Sequence, residues 1–136
     1  MQLKDVMTPN VYVIRPDATL QEAAQQMKAS QVGSLLVYGG EQAIGILTDR
    51  DMTMRAVAEG RDPTTTRVRE IMTPDVIWCH EDADVTSAIN LMKDKHIRHL
   101  AVGDEQQNLV GIVSVYALAL RTGDETLAGT AIRWPA

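Results

Sequence analysis

The sequence predicts an α+β fold made of two copies of one strand-helix-strand-strand-helix unit. Three observations predict it: a motif returns after 65 residues, each copy alternates helical and strand-like spacing in the same order, and turn residues fall at matching places. Met7-Thr8-Pro9 recurs as Met72-Thr73-Pro74. The same shift pairs Val11 with Val76, Asp17 with Asp82, Ala23 with Ala88, Met27 with Met92, Leu35 with Leu100 and Val37 with Val102. Gly45-Ile46 recurs one inserted residue later, as Gly111-Ile112. Two such copies imply a pseudo-two-fold pair with a shared core and a cleft between them.

In the first copy, Val11 to Ile14 is an extended stretch ended by Pro16. Thr19-x-x-Glu22 has the form of a capping box, and Leu20, Ala23, Ala24 and Met27 follow at helical spacing. Ser34 to Tyr38 and Ala43 to Leu47 are strands around the Gly39-Gly40 turn, which makes them a hairpin. Thr48 opens a second helix that reaches about Ala58, with Gly60 as its stop. In the second copy Val76 to Cys79 is extended, and Asp84 caps a helix carrying Val85, Ala88, Ile89 and Met92. His99 to Val102 and Leu109 to Val113 are strands, and Ser114 opens a helix ending near Thr122-Gly123. The organisation expected is a first repeat over 1–60, a polar connector over 61–66, a second repeat over 67–123 and a tail over 124–136 in which Trp134 docks on the body or on a partner chain. Neither copy alone offers enough apolar faces for a core, so the two hairpin sheets are expected to pack together.

At 136 residues, with 45% hydrophobic and 23% charged residues, the chain has the size and composition of a folded domain. It has no Phe, so Val, Ile, Leu, Met and Ala must fill the core. A formal charge of −5 argues against nucleic acid as partner, because phosphate backbones need a basic face. The single cysteine, Cys79, rules out an intramolecular disulfide. Met1 to Asn10 has no apolar signal segment, and the run from Leu109 to Leu120 is too short to span a bilayer. A cytoplasmic protein without a membrane partner is expected.

The order of these pieces resembles the cystathionine-β-synthase (CBS) domain. The residues that carry the resemblance are Val6-Met7-Thr8-Pro9, Thr19-Leu20 with Ala23-Ala24 and Met27, and Gly45-Ile46-Leu47-Thr48-Asp49-Arg50-Asp51. The second copy matches through Ile71-Met72-Thr73-Pro74, Ile97-Arg98-His99-Leu100-Ala101-Val102 and Gly111-Ile112-Val113-Ser114. The resemblance covers residues 3 to 122 and implies a tandem CBS pair, a Bateman module, which forms a disc-like homodimer and binds adenosine-containing ligands. AMP, ADP and ATP lead the ligands it implies, as regulatory ligands rather than required cofactors.

Thr48-x-x-Asp51 is the sharpest local feature. A carboxylate at the start of a helix can take two hydrogen bonds from a ribose diol, Thr48 can add a hydroxyl contact, and Gly45 leaves room for a ligand at the strand end. The same pair is also a plain capping arrangement, so spacing alone leaves both readings open. The resemblance assigns Thr48 and Asp51 to ribose hydroxyls. In the second copy Ser114 keeps the hydroxyl, but Ala117 stands where the acid should be, so one strong nucleoside site per chain is expected. Loss of a charged hydrogen bond weakens a site by roughly 1.5–3 kcal/mol, which is about 10- to 100-fold.

Lys95-His96-Ile97-Arg98-His99 is the dense basic stretch, and the resemblance places Arg98 and His99 near ligand phosphates. Arg50 is a further phosphate candidate, and Val11 and Ile77 are candidate apolar walls for adenine. No nucleophile elbow or phosphate-cradling glycine loop supports catalysis, and the spacing of Cys79, His80, His96 and His99 matches no strong zinc pattern. The expected protein is therefore a non-enzymatic sensor of adenine nucleotides, homodimeric, with its output passed to an effector protein. The rivals are a nucleotide-free interaction module with degenerate sites, and a redox or metal sensor.

Overall fold

Thr19 starts the first long helix, its hydroxyl accepting the Glu22 N–H at 3.2 Å. The structure, a computed structural model, describes residues 1–9, 11–131 and 133–134. Its elements follow the expected order. In the first copy they are β1 (Val13–Ile14), α1 (Leu20–Ser30), β2 (Ser34–Gly39), β3 (Gln42–Thr48) and α2 (Asp49–Met52), the last continued by a π-helical turn over Thr53–Val57. Next come a short helix α3 (Val68–Ile71) and a two-residue strand β4 (Thr73–Pro74). The second copy supplies β5 (Trp78–His80), α4 (Val85–Lys95), β6 (His99–Gly103), β7 (Leu109–Ser114) and α5 (Val115–Thr122), then α6 (Glu125–Ala131). The apolar stripes do what their spacing demands: Leu20, Ala23 and Met27 on α1, and Val85, Ala88 and Met92 on α4, are buried. Both helices end on a left-handed residue, Gln31 and His96.

The chain forms two compact units, Tyr12–Val76 and Met1–Val11 with Ile77–Ala136. In the first, a four-stranded sheet runs β1-β2-β3-β4, with β1 parallel to β2 and the rest antiparallel. In the second, a sheet runs β5-β6-β7 with the same senses, and Thr8 bridges Ile112 where β4 would lie. The Met-Thr-Pro motif therefore pairs with the Gly-Ile motif of the other copy. Met72-Thr73-Pro74 lies along Gly45-Ile46, and Met7-Thr8 lies along Gly111-Ile112.

The crossing extends through the neighbouring residues. Leu3 donates its N–H to the Ala83 carbonyl at 2.9 Å, and 65 residues on Val68 donates to Ala18 at 2.8 Å. Val85 N–H reaches the Met1 carbonyl and Leu20 N–H the Thr66 carbonyl, both at 3.0 Å. Lys4 pairs with Asp82, and Arg69 pairs with Asp17. Asp5 accepts the Gln2 N–H, and Glu70 accepts the Arg67 N–H.

Each unit has a core of its own, because each takes in the short helical turn that precedes the other copy. Leu3 and Val6 join Val85, Leu100, Val113 and Leu118 in one, and Val68 and Ile71 join Leu20, Leu35 and Leu47 in the other. The tail also belongs to a core. Leu127, Ala131 and Trp134 are buried with the residues of the second copy. Ile132, Pro135 and Ala136 of the predicted tail lie outside the described residues.

The crossed strands explain two glycines. A Cβ on Gly45 would sit 2.7 Å from the Met72 sulfur and 2.8 Å from the Thr73 carbonyl oxygen. On Gly111 it would sit 2.6 Å from the Met7 sulfur and 3.0 Å from the Thr8 carbonyl oxygen. Gly45→Ala and Gly111→Ala should each lower stability by about 1–3 kcal/mol in urea unfolding. Gly129→Ala, in α6 with open space around it, should raise stability by up to about 1 kcal/mol.

Candidate functional site

β3 ends at Thr48, whose extended backbone turns directly into α2. Its hydroxyl accepts the Asp51 N–H and its own N–H donates to Asp51 Oδ2, both at 3.0 Å. The two residues form a complete capping box. Asp51 is 0% exposed. Its other oxygen, Oδ1, accepts the Thr73 hydroxyl at 3.2 Å and lies 3.7 Å from Arg55 Nη1. Burial pushes the carboxyl above the usual carboxylate range, opposed first by the Thr48 N–H and then by the Arg55 charge.

The sequence singles out Thr48 and Asp51, and the structure joins them. Thr73 and Arg55 complete the cluster and are additional to the sequence reading. Arg55 carries a local signal, since an acid and a base four residues apart on a helix face each other. Thr73 carries none, because β4 brings it in from 22 residues away.

Arg55 also donates to the carbonyls of Ile71 at 3.0 Å and Met72 at 3.2 Å. The matching residue of the other copy, Arg121, donates to the Asp5 carbonyl at 3.2 Å. Both arginines thus clamp the carbonyl end of a short helical turn. Arg55 alone also faces an acid, because Ala117 replaces Asp51 in the second copy. There the Ser114 hydroxyl accepts the Ala117 N–H, at 3.0 Å.

The place expected to admit a ligand at Gly45 is filled by Met72 and Thr73, so the glycine serves strand approach in this structure. Arg50 is half-buried in α2, beside Asp49. A groove of about 430 Å3 in the same unit runs along Val13, Ile14, Arg15, Ala18 and Glu22, and neither Thr48 nor Asp51 lines it.

Val11, Ile77, Arg98, His99 and Ser114 belong to the other unit. His99 pairs with Ser114 across the β6–β7 ladder, and the Arg98 carbonyl accepts the Val115 N–H at 2.8 Å. Val11 and Ile77 are both half-buried, and Ile77 packs against that unit's core. Arg98 is only 6% exposed, and its Nη2 donates to the Trp134 carbonyl. The position matching Arg98 in the first copy is Gly33, where a Cβ would sit 3.0 Å from Asp49 Oδ2. Among the described residues, no three His, Cys, Asp or Glu side chains come together as a metal site, and no helix is long and apolar enough to cross a membrane.

The paired units, each with a parallel-then-antiparallel sheet ending in a hydroxyl-capped helix, define a duplicated small α+β module. The CBS domain family model matches residues 3–57 and 68–121. The chain belongs to the CBS-domain family and is a CBS-domain pair. It is 38% identical over 130 residues to the CBS domain-containing protein YhcV of Bacillus subtilis, covering 96% of this chain and 91% of that one. A hexameric CBS-CP12 protein from bloom-forming cyanobacteria superimposes with a TM-score of 0.81 at 32% identity, over 89% of this chain and 67% of that one. Hypoxic Response Protein I, solved with two coordinated zinc ions, gives a TM-score of 0.71 at 30% identity, over 88% of this chain and 98% of that one.

Proposed function

We propose that the chain is a regulatory module that binds an adenosine-containing nucleotide, with AMP, ADP or ATP as the ligand, and transmits its state as a homodimer to an effector protein. The reading needs no catalytic step and no resident cofactor. The observation that carries it is the Thr48–Asp51 pair at the first turn of α2, a carboxylate with two oxygens held by replaceable donors. A ribose diol offers the same kind of donor. One of its hydroxyls takes over the place of the Thr73 hydroxyl, whose 3.2 Å contact is the longer of the two hydrogen bonds. Arg98 and His99 are the candidates for phosphate contacts within their own unit. Regulation is then linkage: the nucleotide shifts the protein between arrangements only by the difference in its affinity for them.

A second reading has its own support. Asp51 is fully buried and already bonded, and Ala117 leaves the other copy without an acid. Both facts suit an interaction module that binds no nucleotide. Thermal unfolding with a panel of AMP, ADP, ATP, NAD and S-adenosylmethionine separates the two. A nucleotide at 100 times its Kd should add about 2.7 kcal/mol of stability. No shift with any compound rejects the nucleotide reading in favour of the second.

A further inference from the structure

β1 ends the order of its sheet, and β2 is the one described strand that pairs with it. Val13 lies opposite Leu36, and the Leu36 N–H donates to the Tyr12 carbonyl at 3.0 Å. Residues of a parallel ladder turn alternately toward the neighbouring strand, so the N–H and carbonyl of Val13 face away from β2. That outward carbonyl is met by an amide: Gln26 of α1 donates to it through Nε2 at 3.0 Å. The groove of about 430 Å3 follows this edge, and a cleft of that volume is of ligand size. Its lining joins Val13 and Arg15 to Glu22 and Gln26 of α1, with Asp17 and Ala18 from the turn between them. Val13 is apolar yet 46% exposed. The second copy does not repeat this chemistry: His80, Ser87 and Leu91 stand at the positions matching Arg15, Glu22 and Gln26.

The charges of the groove select the occupant. Asp17 is paired with Arg69. Arg15 and Glu22 are exposed, and neither has an ion-pair partner among the described residues. A complementary guest therefore carries both signs, with an apolar group between them. The Gln26 contact shows that the outward carbonyl of β1 takes an amide donor, which is what an extended peptide supplies. We propose that the edge of β1 and the flank of α1 form a docking groove for an extended segment of a partner protein, which sets an apolar residue on Val13 and Ala18 between an acid for Arg15 and a base for Glu22. The segment adds a strand beside β1. Its N–H takes over the Val13 carbonyl from the Gln26 amide, one neutral donor for another. Its side chains alternate, so the apolar one turns into the groove and its charged neighbours reach the rim. The inference rests on the reading of the chain as a module with an effector protein, and not on the nucleotide, since neither Thr48 nor Asp51 lines the groove.

The test is an amide NMR titration of the full chain, without nucleotide, at low salt. The probes are acetyl-Thr-Lys-Val-Glu-Thr-amide and its Lys-Val-Lys and Glu-Val-Glu counterparts. The mixed peptide should shift the backbone amides of Val13, Arg15 and Glu22 and the side-chain amide of Gln26. It should bind about threefold or more tightly than either counterpart. Glu22→Lys should turn the preference to the Glu-Val-Glu peptide, and Arg15→Glu to the Lys-Val-Lys peptide. Should either variant fold poorly, Glu22→Gln and Arg15→Gln take their place, and each should level the preference that its lost charge supplied. Equal binding of all three peptides by the parent, or shifts centred outside the groove, overturns the proposal. So does the absence of any shift at millimolar peptide. Shifts of the groove amides with protein concentration alone give the groove to a second copy of the chain, and overturn it too. Each of these failures leaves the nucleotide reading standing, because no nucleotide enters the experiment.

Discussion

Leu3→Ala should destabilise the protein by about 2.7–5 kcal/mol. Leu3 is held on every side. It is 0% exposed, its N–H is bonded to the Ala83 carbonyl, and it shares a core with Val85, Leu100, Val113 and Leu118. The loss should be local to one unit. Hydrogen exchange should show weakened protection in β5–β7, α4 and α5, with β1–β3 less affected. Val68→Ala, at the matching position, should do the reverse, because Val68 is 0% exposed in the core with Leu20, Leu35 and Leu47. Should Leu3→Ala weaken β1–β3 instead, the crossed assembly is wrong. The Lys4–Asp82 pair beside Leu3 contributes less, being on the surface. Lys4 holds the Asp82 carboxyl below its usual range, so its contribution is present above the ordinary carboxylate pKa and is lost as pH falls through the lowered value.

The crossing also marks where sequence reading runs out. The order strand-helix-strand-strand-helix is legible twice, because Leu20, Ala23 and Met27 repeat as Val85, Ala88 and Met92 at a spacing only a helix uses. The repeat itself hides which copy each Met-Thr-Pro segment joins. Leu3 and Val68 are both aliphatic, and Gly45-Ile46 and Gly111-Ile112 are identical, so direct and crossed pairing satisfy one pattern equally well. Only the fold breaks the tie. The site follows the same logic. Thr48 and Asp51 are readable because a cap is local, and Arg55 is one turn beyond. Thr73 and Met72 reach the same place through β4, so spacing suggests open room at Gly45 where the structure has side chains. The docking of Trp134 on Arg98 spans 36 residues and carries no periodic signal.

Asp51→Ala should cost about 1–3 kcal/mol, the range for leaving buried hydrogen-bond donors without their acceptor. The change strips the acceptor from the Thr48 N–H and the Thr73 hydroxyl, and leaves Arg55 without its nearby acid. That loss makes it a poor probe of binding, because lost fold and lost affinity would arrive together. Asp51→Asn is the sharper test. It keeps an acceptor for the Thr48 N–H and removes the charge and the second acceptor. Its pH behaviour follows from the raised pKa of the parent residue. Below the ordinary carboxylate pKa, Asp51 is protonated in both folded and unfolded chains, and its charge has no effect on stability. Between that value and the raised folded value, the folded state holds the extra proton. Parent stability therefore falls relative to the Asn variant as pH rises through this window, and the cost of the buried charge is complete above it. Unfolding of parent and variant across the acidic range measures the difference directly. A parent that instead gains on the variant with rising pH would show that Thr48 and Arg55 outweigh burial at this carboxylate. At neutral pH the folded Asn variant should bind AMP about 10- to 100-fold more weakly, for loss of a charged hydrogen bond to the diol. Equal AMP binding by variant and parent would leave Asp51 a helix cap alone and move the search for the ribose elsewhere in the chain.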